Sequence, residues 1–166
     1  MDVMQTAPRG AGGAPDSYRE RLSPPLGVWL TAYALALGVL PICLPVMPLP
    51  AVLGLTALAY VVVTFAVRSW AAEVVLERGE LRAGSARIPV SLLGAPTAHD
   101  AEASALLRGR DIEPRAYHLI RAWVPTAVTV PVQDPADSTP YWYVATRHPE
   151  ALAAALVAAQ GRATTA

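Results

Sequence analysis

From Leu22 to Val67 the chain carries no Asp, Glu, Lys, Arg or His. That is more than twice the ~18 apolar residues that mark one membrane span. Prolines divide the stretch: Pro41, Pro45, Pro48 and Pro50 lie close together, and proline removes a helical N–H and clashes with the preceding turn. The pattern predicts two transmembrane helices, over about residues 25–44 and 50–68, joined by a connector from about Pro41 to Leu49. Ser23 can cap the first span, and Pro24 and Pro25 suit its first turn, where a missing N–H costs nothing. Leu26 to Leu44 spans ~28 Å at ~1.5 Å per residue, close to the ~30 Å of a hydrocarbon core. Tyr18 and Trp29 stand where interface aromatics belong, and Arg68 and Trp70 close the second span.

The flanks set an orientation. Arg9, Arg19 and Arg21 precede the hairpin, Arg68 and Arg78 follow it, and the connector is uncharged. The positive-inside rule then places both termini in the cytoplasm of a multi-pass plasma-membrane protein. Two alternatives compete. Ala34-Leu35-Ala36 has the small-x-small look of a signal-peptide cleavage site, but the long acidic-containing n-region and the second apolar run argue against it. A buried helical pair in a soluble protein is disfavoured, because so small a domain has little to cover two helices lacking a polar face.

Charge elsewhere is scarce and balanced. Charged residues make up 16% of the chain, against ~25% in average soluble proteins. The net charge is zero, so no basic field favours nucleic acid. Cys43 is the one cysteine, which excludes an intramolecular disulfide and a cysteine-rich metal site.

Residues 1–17 are Gly- and Pro-rich with few large apolar side chains, and read as a disordered tail. Tyr18-Arg19-Glu20-Arg21 is a polar threshold completing the 18–70 hairpin unit. A β-rich cytoplasmic domain follows over 71–161, with 162–166 as a second tail. Glu73–Glu77, Glu80–Ala83 and Ala86–Val90 read as strands separated by turns at Arg78-Gly79 and Gly84-Ser85. Leu92 to Ala98 reads as a short strand or turn. Ala101–Arg108 reads as a helix capped by Asp100 and stopped by Gly109. Three more strands are expected over Tyr117–Trp123, Ala127–Val132 and Tyr141–Thr146, the last two joined by a turn over Asp134–Ser138. A C-terminal helix runs 149–160, with Leu152, Leu156 and Ala159 as its packing stripe. The expected class is membrane α+β: a two-helix hairpin, then a small antiparallel domain of pleckstrin-homology-like form.

Certain pieces also match a known family. They are Tyr18-Arg19-Glu20-Arg21-Leu22, Glu80-Leu81-Arg82-Ala83-Gly84, Asp111 to Tyr117, Arg121-Ala122-Trp123-Val124, Asp134 to Trp142, and Thr146 to Leu152. The chain resembles, over about Tyr18 to Gln160, an actinobacterial family of two-span membrane proteins, domain of unknown function 3093. Thr146 to Leu152 is also similar to the last strand and helix of bacterial pleckstrin-homology-like domains. The resemblance implies the membrane hairpin and the fold. It implies no catalytic residue.

No constellation points to catalysis. His99, His118 and His148 are far apart, and a solvated loop accounts better for His99-Asp100 with Glu102 than a metal site does. There is no Gly-x-Ser-x-Gly, no Ser-x-x-Lys and no phosphate-binding glycine loop. We therefore expect no metal, no cofactor and no enzymatic activity. Two binding surfaces are expected instead. Arg121, Trp123, Tyr141 and Trp142, with Asp111 and Arg115 from the preceding loop, are candidates for contact with a protein partner. Arg68, Arg82 and Arg87 are candidates for contact with anionic lipid of the bilayer. A third reading, an enzyme using the loop from Asp100 to Glu113, ranks below these. Ala32, Ala34, Ala36 and Gly38 permit close helix packing, within the hairpin or in a homo-oligomer.

Overall fold

A computed structural model describes residues 17–163. Most of the expected N-terminal tail and the last three residues lie outside that range.

Two apolar helical segments lead. The first runs Leu26–Leu37 (α1), breaks at Gly38, and continues Val39–Cys43 (α2). Pro41 explains the break: it has no N–H for the Leu37 carbonyl, four residues back, and its ring crowds that turn. The helix nevertheless continues through Pro41, so the connector starts at Leu44 rather than at Pro41. The second segment, Leu49–Ser69 (α3), begins with Pro50 in its first turn and has Arg68 in its last. A cation there also complements the helix dipole.

The two arms of the hairpin pack along one narrow seam. Ala36, Val52 and Thr56 are buried there, and the Thr56 hydroxyl donates back to Val52 O (2.9 Å), as threonine does inside an apolar helix. Tyr33 Oη and Thr64 Oγ1 bridge the arms at 3.1 Å, and the Tyr33 and Tyr60 rings stand 5.4 Å apart. Val67 is buried near the end of α3, but most of the remaining hairpin surface is apolar and exposed: Ile42 is 75% exposed and Phe65 77%.

Strand β1, Tyr18–Leu22, precedes the hairpin; it replaces the polar threshold read from the sequence. Its partner is β2, Ala72–Glu77, just beyond α3, with Leu22 opposite Ala72 and Tyr18 opposite Leu76. β3 (Glu80–Ala83) and β4 (Ala86–Pro89) complete an antiparallel sheet in the order β1-β2-β3-β4. Arg78 and Gly79 both have positive φ, 53° and 73°, the requirement of a two-residue type I′ hairpin turn.

A 3-10 turn at Val90–Leu92 leads into the second sheet. Its strands are β5 (Thr97–His99), β6 (Tyr117–Leu119), β7 (Ala127–Pro131) and β8 (Tyr141–Ala145), in the order β5-β7-β8-β6. β6 runs parallel to β8, a departure from the all-antiparallel expectation. Between β5 and β6 lies helix α4, Ala101–Arg108, with Asp100 Oδ1 accepting from Ala103 N at 2.9 Å. The final helix, α5, spans Pro149–Ala163 and passes through Gly161 instead of stopping there.

One apolar core joins the two sheets and α5. Leu22, Val74, Leu76 and Leu81 come from the first sheet, Val128, Val130, Trp142 and Val144 from the second, and Leu152 and Leu156 from the helix. Tyr117 Oη reaches across to Ala83 O (2.7 Å), and Gln160 Nε2 ties α5 to Leu93 O and Gly94 O at 2.8 Å each.

Candidate functional site at the hairpin junction

Strand alternation in β1 turns Arg19 and Arg21 outward and Tyr18, Glu20 and Leu22 inward. Glu20 thereby enters the domain, its side chain only 9% exposed. It meets the turn between β8 and α5. Tyr18 Oη donates to Glu20 Oε2 (2.6 Å), as does the fully buried Thr146 hydroxyl, and the two hydroxyls stand 2.8 Å apart. Arg147 N donates to Glu20 Oε1 (3.1 Å). Arg147 Nη1 and His148 Nδ1 each lie 3.9 Å from that oxygen.

The same junction holds the entry to α1. Arg147 Nη1 donates to Arg21 O (3.4 Å) and Nη2 to Ser23 O (3.0 Å), immediately before Pro24 and Pro25. His148 N donates to Thr146 Oγ1, and Thr126 Oγ1 to Thr146 O. A buried carboxylate is costly unless its acceptor sites are used. Here each Glu20 oxygen has donors, which locks the segment before the hairpin to residues more than 120 positions later in the chain.

Burial and the adjacent Glu20 carboxylate push the Tyr18 phenol pKa well above its ordinary value, and the Thr146 hydrogen bond opposes them only in part. A folded-state pKa raised above the unfolded one gives stability that is complete below about pH 10 and lost as pH climbs toward the folded value. Burial pushes Tyr117 and Tyr143 the same way. Tyr18→Phe should therefore flatten, without abolishing, the loss of stability above about pH 10, as read by denaturant unfolding across an alkaline series. An unchanged slope would show that Tyr18 contributes nothing there.

The residues expected to form one partner surface fall in separate places. Trp142 is a core residue, 5% exposed, with its ring 4.5 Å from Tyr117, so it is unavailable to a partner. Tyr141 packs edge-on to His118 at 6.4 Å. Asp111 and Arg115 lie on the exposed loop after α4, where Asp111 pairs with Arg110 (3.1 Å) and Arg115 Nη2 donates to Ser138 O (3.2 Å). The strand expected through Trp123 ends at Leu119, because Val124 N closes a turn onto Arg121 O (2.9 Å). Arg121 and Trp123 consequently leave the sheet. With Ile120, Ala122, Ser69 and Trp70 they line a hollow of about 260 Å³ beside the end of α3.

The lipid-contact candidates also divide. Arg68 is exposed at the end of α3. Arg82 stands directly opposite Arg87, in a cross-strand row that reads Arg19, Val75, Arg82, Arg87. Like charges in register oppose pairing. Glu73, Glu77 and Glu80 fringe that row, and Glu73 pairs with Arg19 at 3.6 Å.

His99 bonds Thr129 Oγ1 through Nε2 (2.7 Å), and burial pushes its pKa down. Among the described residues no group of three or more His, Cys, Asp and Glu side chains is placed to hold a metal ion.

The family model for a protein of unknown function, DUF3093, matches residues 17–156. The chain belongs to the DUF3093 family. The DUF3093 match opens at β1 and closes inside α5, so the strand before the hairpin and the helix turn that grips it lie within one family unit. No curated protein and no solved structure matches the chain. The Glu20 junction was not foreseen as a site. Its trace in the sequence is the period-two spacing of Tyr18, Glu20 and Leu22, which is that of a strand face.

Proposed function

We propose that this DUF3093 protein is an integral plasma-membrane protein whose hairpin anchors a cytoplasmic, non-enzymatic interaction module of pleckstrin-homology-like form. The observation that carries the reading is the uncovered apolar hairpin. Only 6% of the α1–α2 window and 17% of the α3 window are buried, whereas a core helix of a soluble protein would be mostly covered. β1 supports an uncleaved first span, since cutting after Ala36 would remove a strand of the first sheet together with Glu20. The hydrogen bonding of β1 to β2 also supports a hairpin whose two ends lie on one side of a membrane.

The non-enzymatic reading is supported by the engagement of three of the four carboxylates from Asp100 to Glu113. Asp100 caps α4, Asp111 pairs with Arg110, and Glu113 accepts from Arg115 N. The partner surface that remains is the exposed loop of Asp111, Ile112 and Arg115. Capture of the full-length protein from mild detergent should bring down one protein in stoichiometric amount, lost in Ile112→Asp with Arg115→Glu. Recovery of no such protein contradicts a partner-binding module.

A second reading, recognition of anionic lipid, is favoured by the arginine row of the first sheet. Arg82 and Arg87, side by side, make no ion pair among the described residues.

A further inference from the structure

The hollow at the end of α3 carries a more specific assignment. Its lining, Ser69, Trp70, Ile120, Arg121, Ala122 and Trp123, contains no acidic side chain, and Arg68 adds a second cation one residue away. Arg121 Nε and Trp123 Nε1 are both buried without an acceptor among the described residues. Guanidinium and indole nitrogens are donors only, so neither can satisfy the other. A buried donor left unpaired is unfavourable, and the missing chemistry here is an acceptor. Arg121 has a hydrogen bond elsewhere in its guanidinium, from Nη1 to Ile120 O (2.7 Å), which holds the group in place.

Position narrows the acceptor. α3 ends at Ser69, directly after Arg68, and Trp70 is 52% exposed. A charged residue followed by an exposed tryptophan at the end of an apolar helix marks headgroup depth. The groups concentrated at that depth are phosphates and ester carbonyls, all of them acceptors. We infer that the Trp70–Arg121–Trp123 hollow seats the phosphate of a membrane phospholipid headgroup, with Arg121 as the charge and Trp123 Nε1 as a directional donor. The inference rests on the membrane reading above and adds to it a ligand class and a site distinct from the arginine row.

Dihexanoyl phosphatidylglycerol, added below its own micelle concentration to the full-length protein in a non-ionic detergent, tests the site by calorimetric titration. Saturable binding is expected, weakened at least tenfold by Arg121→Gln and severalfold by Trp123→Phe, which keeps a ring and removes the N–H. Arg110→Gln, at an exposed loop position, should bind as the unaltered protein does. Inorganic phosphate at the same concentration should not displace the lipid; full displacement would assign the hollow to free phosphate and overturn the lipid source. Absence of saturable binding, or equal binding by Arg121→Gln in a variant with an unchanged near-ultraviolet spectrum, overturns the site. Carbonate extraction of membranes reads the membrane assignment separately, so a failed site and a failed membrane assignment give different results.

Discussion

Glu20→Ala should destabilise the folded domain by about 3 kcal/mol, the cost of leaving the buried Thr146 hydroxyl and the partly buried Tyr18 hydroxyl without their charged acceptor. The substitution removes the acceptor shared by the Tyr18 hydroxyl, the Thr146 hydroxyl and Arg147 N, and leaves the two hydroxyls only each other. It also removes the carboxylate 3.9 Å from the Arg147 guanidinium, the group that bridges to the backbone before α1. The effect should exceed that of any exposed ion pair in the protein. Arg19–Glu73, with both side chains largely exposed, belongs to a class worth at most ~1 kcal/mol. Urea unfolding of the full chain in detergent, followed by tryptophan fluorescence, measures the difference. Glu20→Gln keeps the volume and one acceptor, and should fall between the two. A loss below about 0.5 kcal/mol for Glu20→Ala, the scale of an ordinary surface change, would mean that the junction does not hold the hairpin to the domain.

The other large effect concerns the outward face of α3. Leu58 and Val62, four residues apart, are 58% and 57% exposed. Arginine near the centre of a membrane span costs ~2.5–3.5 kcal/mol for insertion, so Leu58→Arg with Val62→Arg should oppose insertion by roughly 5 kcal/mol. The double variant should leave the membrane fraction and be degraded or aggregate. On the surface of a water-soluble protein the same pair would change stability by no more than about 0.5 kcal/mol each. Membrane-fraction yield, compared between the double variant and the unaltered chain, separates these outcomes.

The hairpin was legible because its signal is local: a long charge-free run with clustered prolines needs no knowledge of distant partners. Helix α4 was legible for the same reason, with Asp100 capping and Gly109 following. β1 was not. Its Arg-Glu-Arg centre reads as a solvated approach to a span, and the strand that makes it a strand lies beyond the whole hairpin. Trp142 was misread because an aromatic run looks like a binding surface. β8 is instead an inner strand, flanked by β7 and β6, and successive residues from Trp142 through Ala145, which point to alternate faces, are all buried. Alternation carried the strand expected over Tyr117–Trp123 four residues too far, since a turn at Arg121–Val124 leaves the period-two pattern undisturbed. The Glu20 junction was hidden by distance, because Tyr18 and Thr146 are each unremarkable until the fold brings them together.

The most direct measurement is extraction of membranes from cells expressing the full-length chain with alkaline carbonate. Retention in the pellet, with release only by detergent, is the result expected of an inserted hairpin. Recovery of the intact chain in the carbonate supernatant would contradict it.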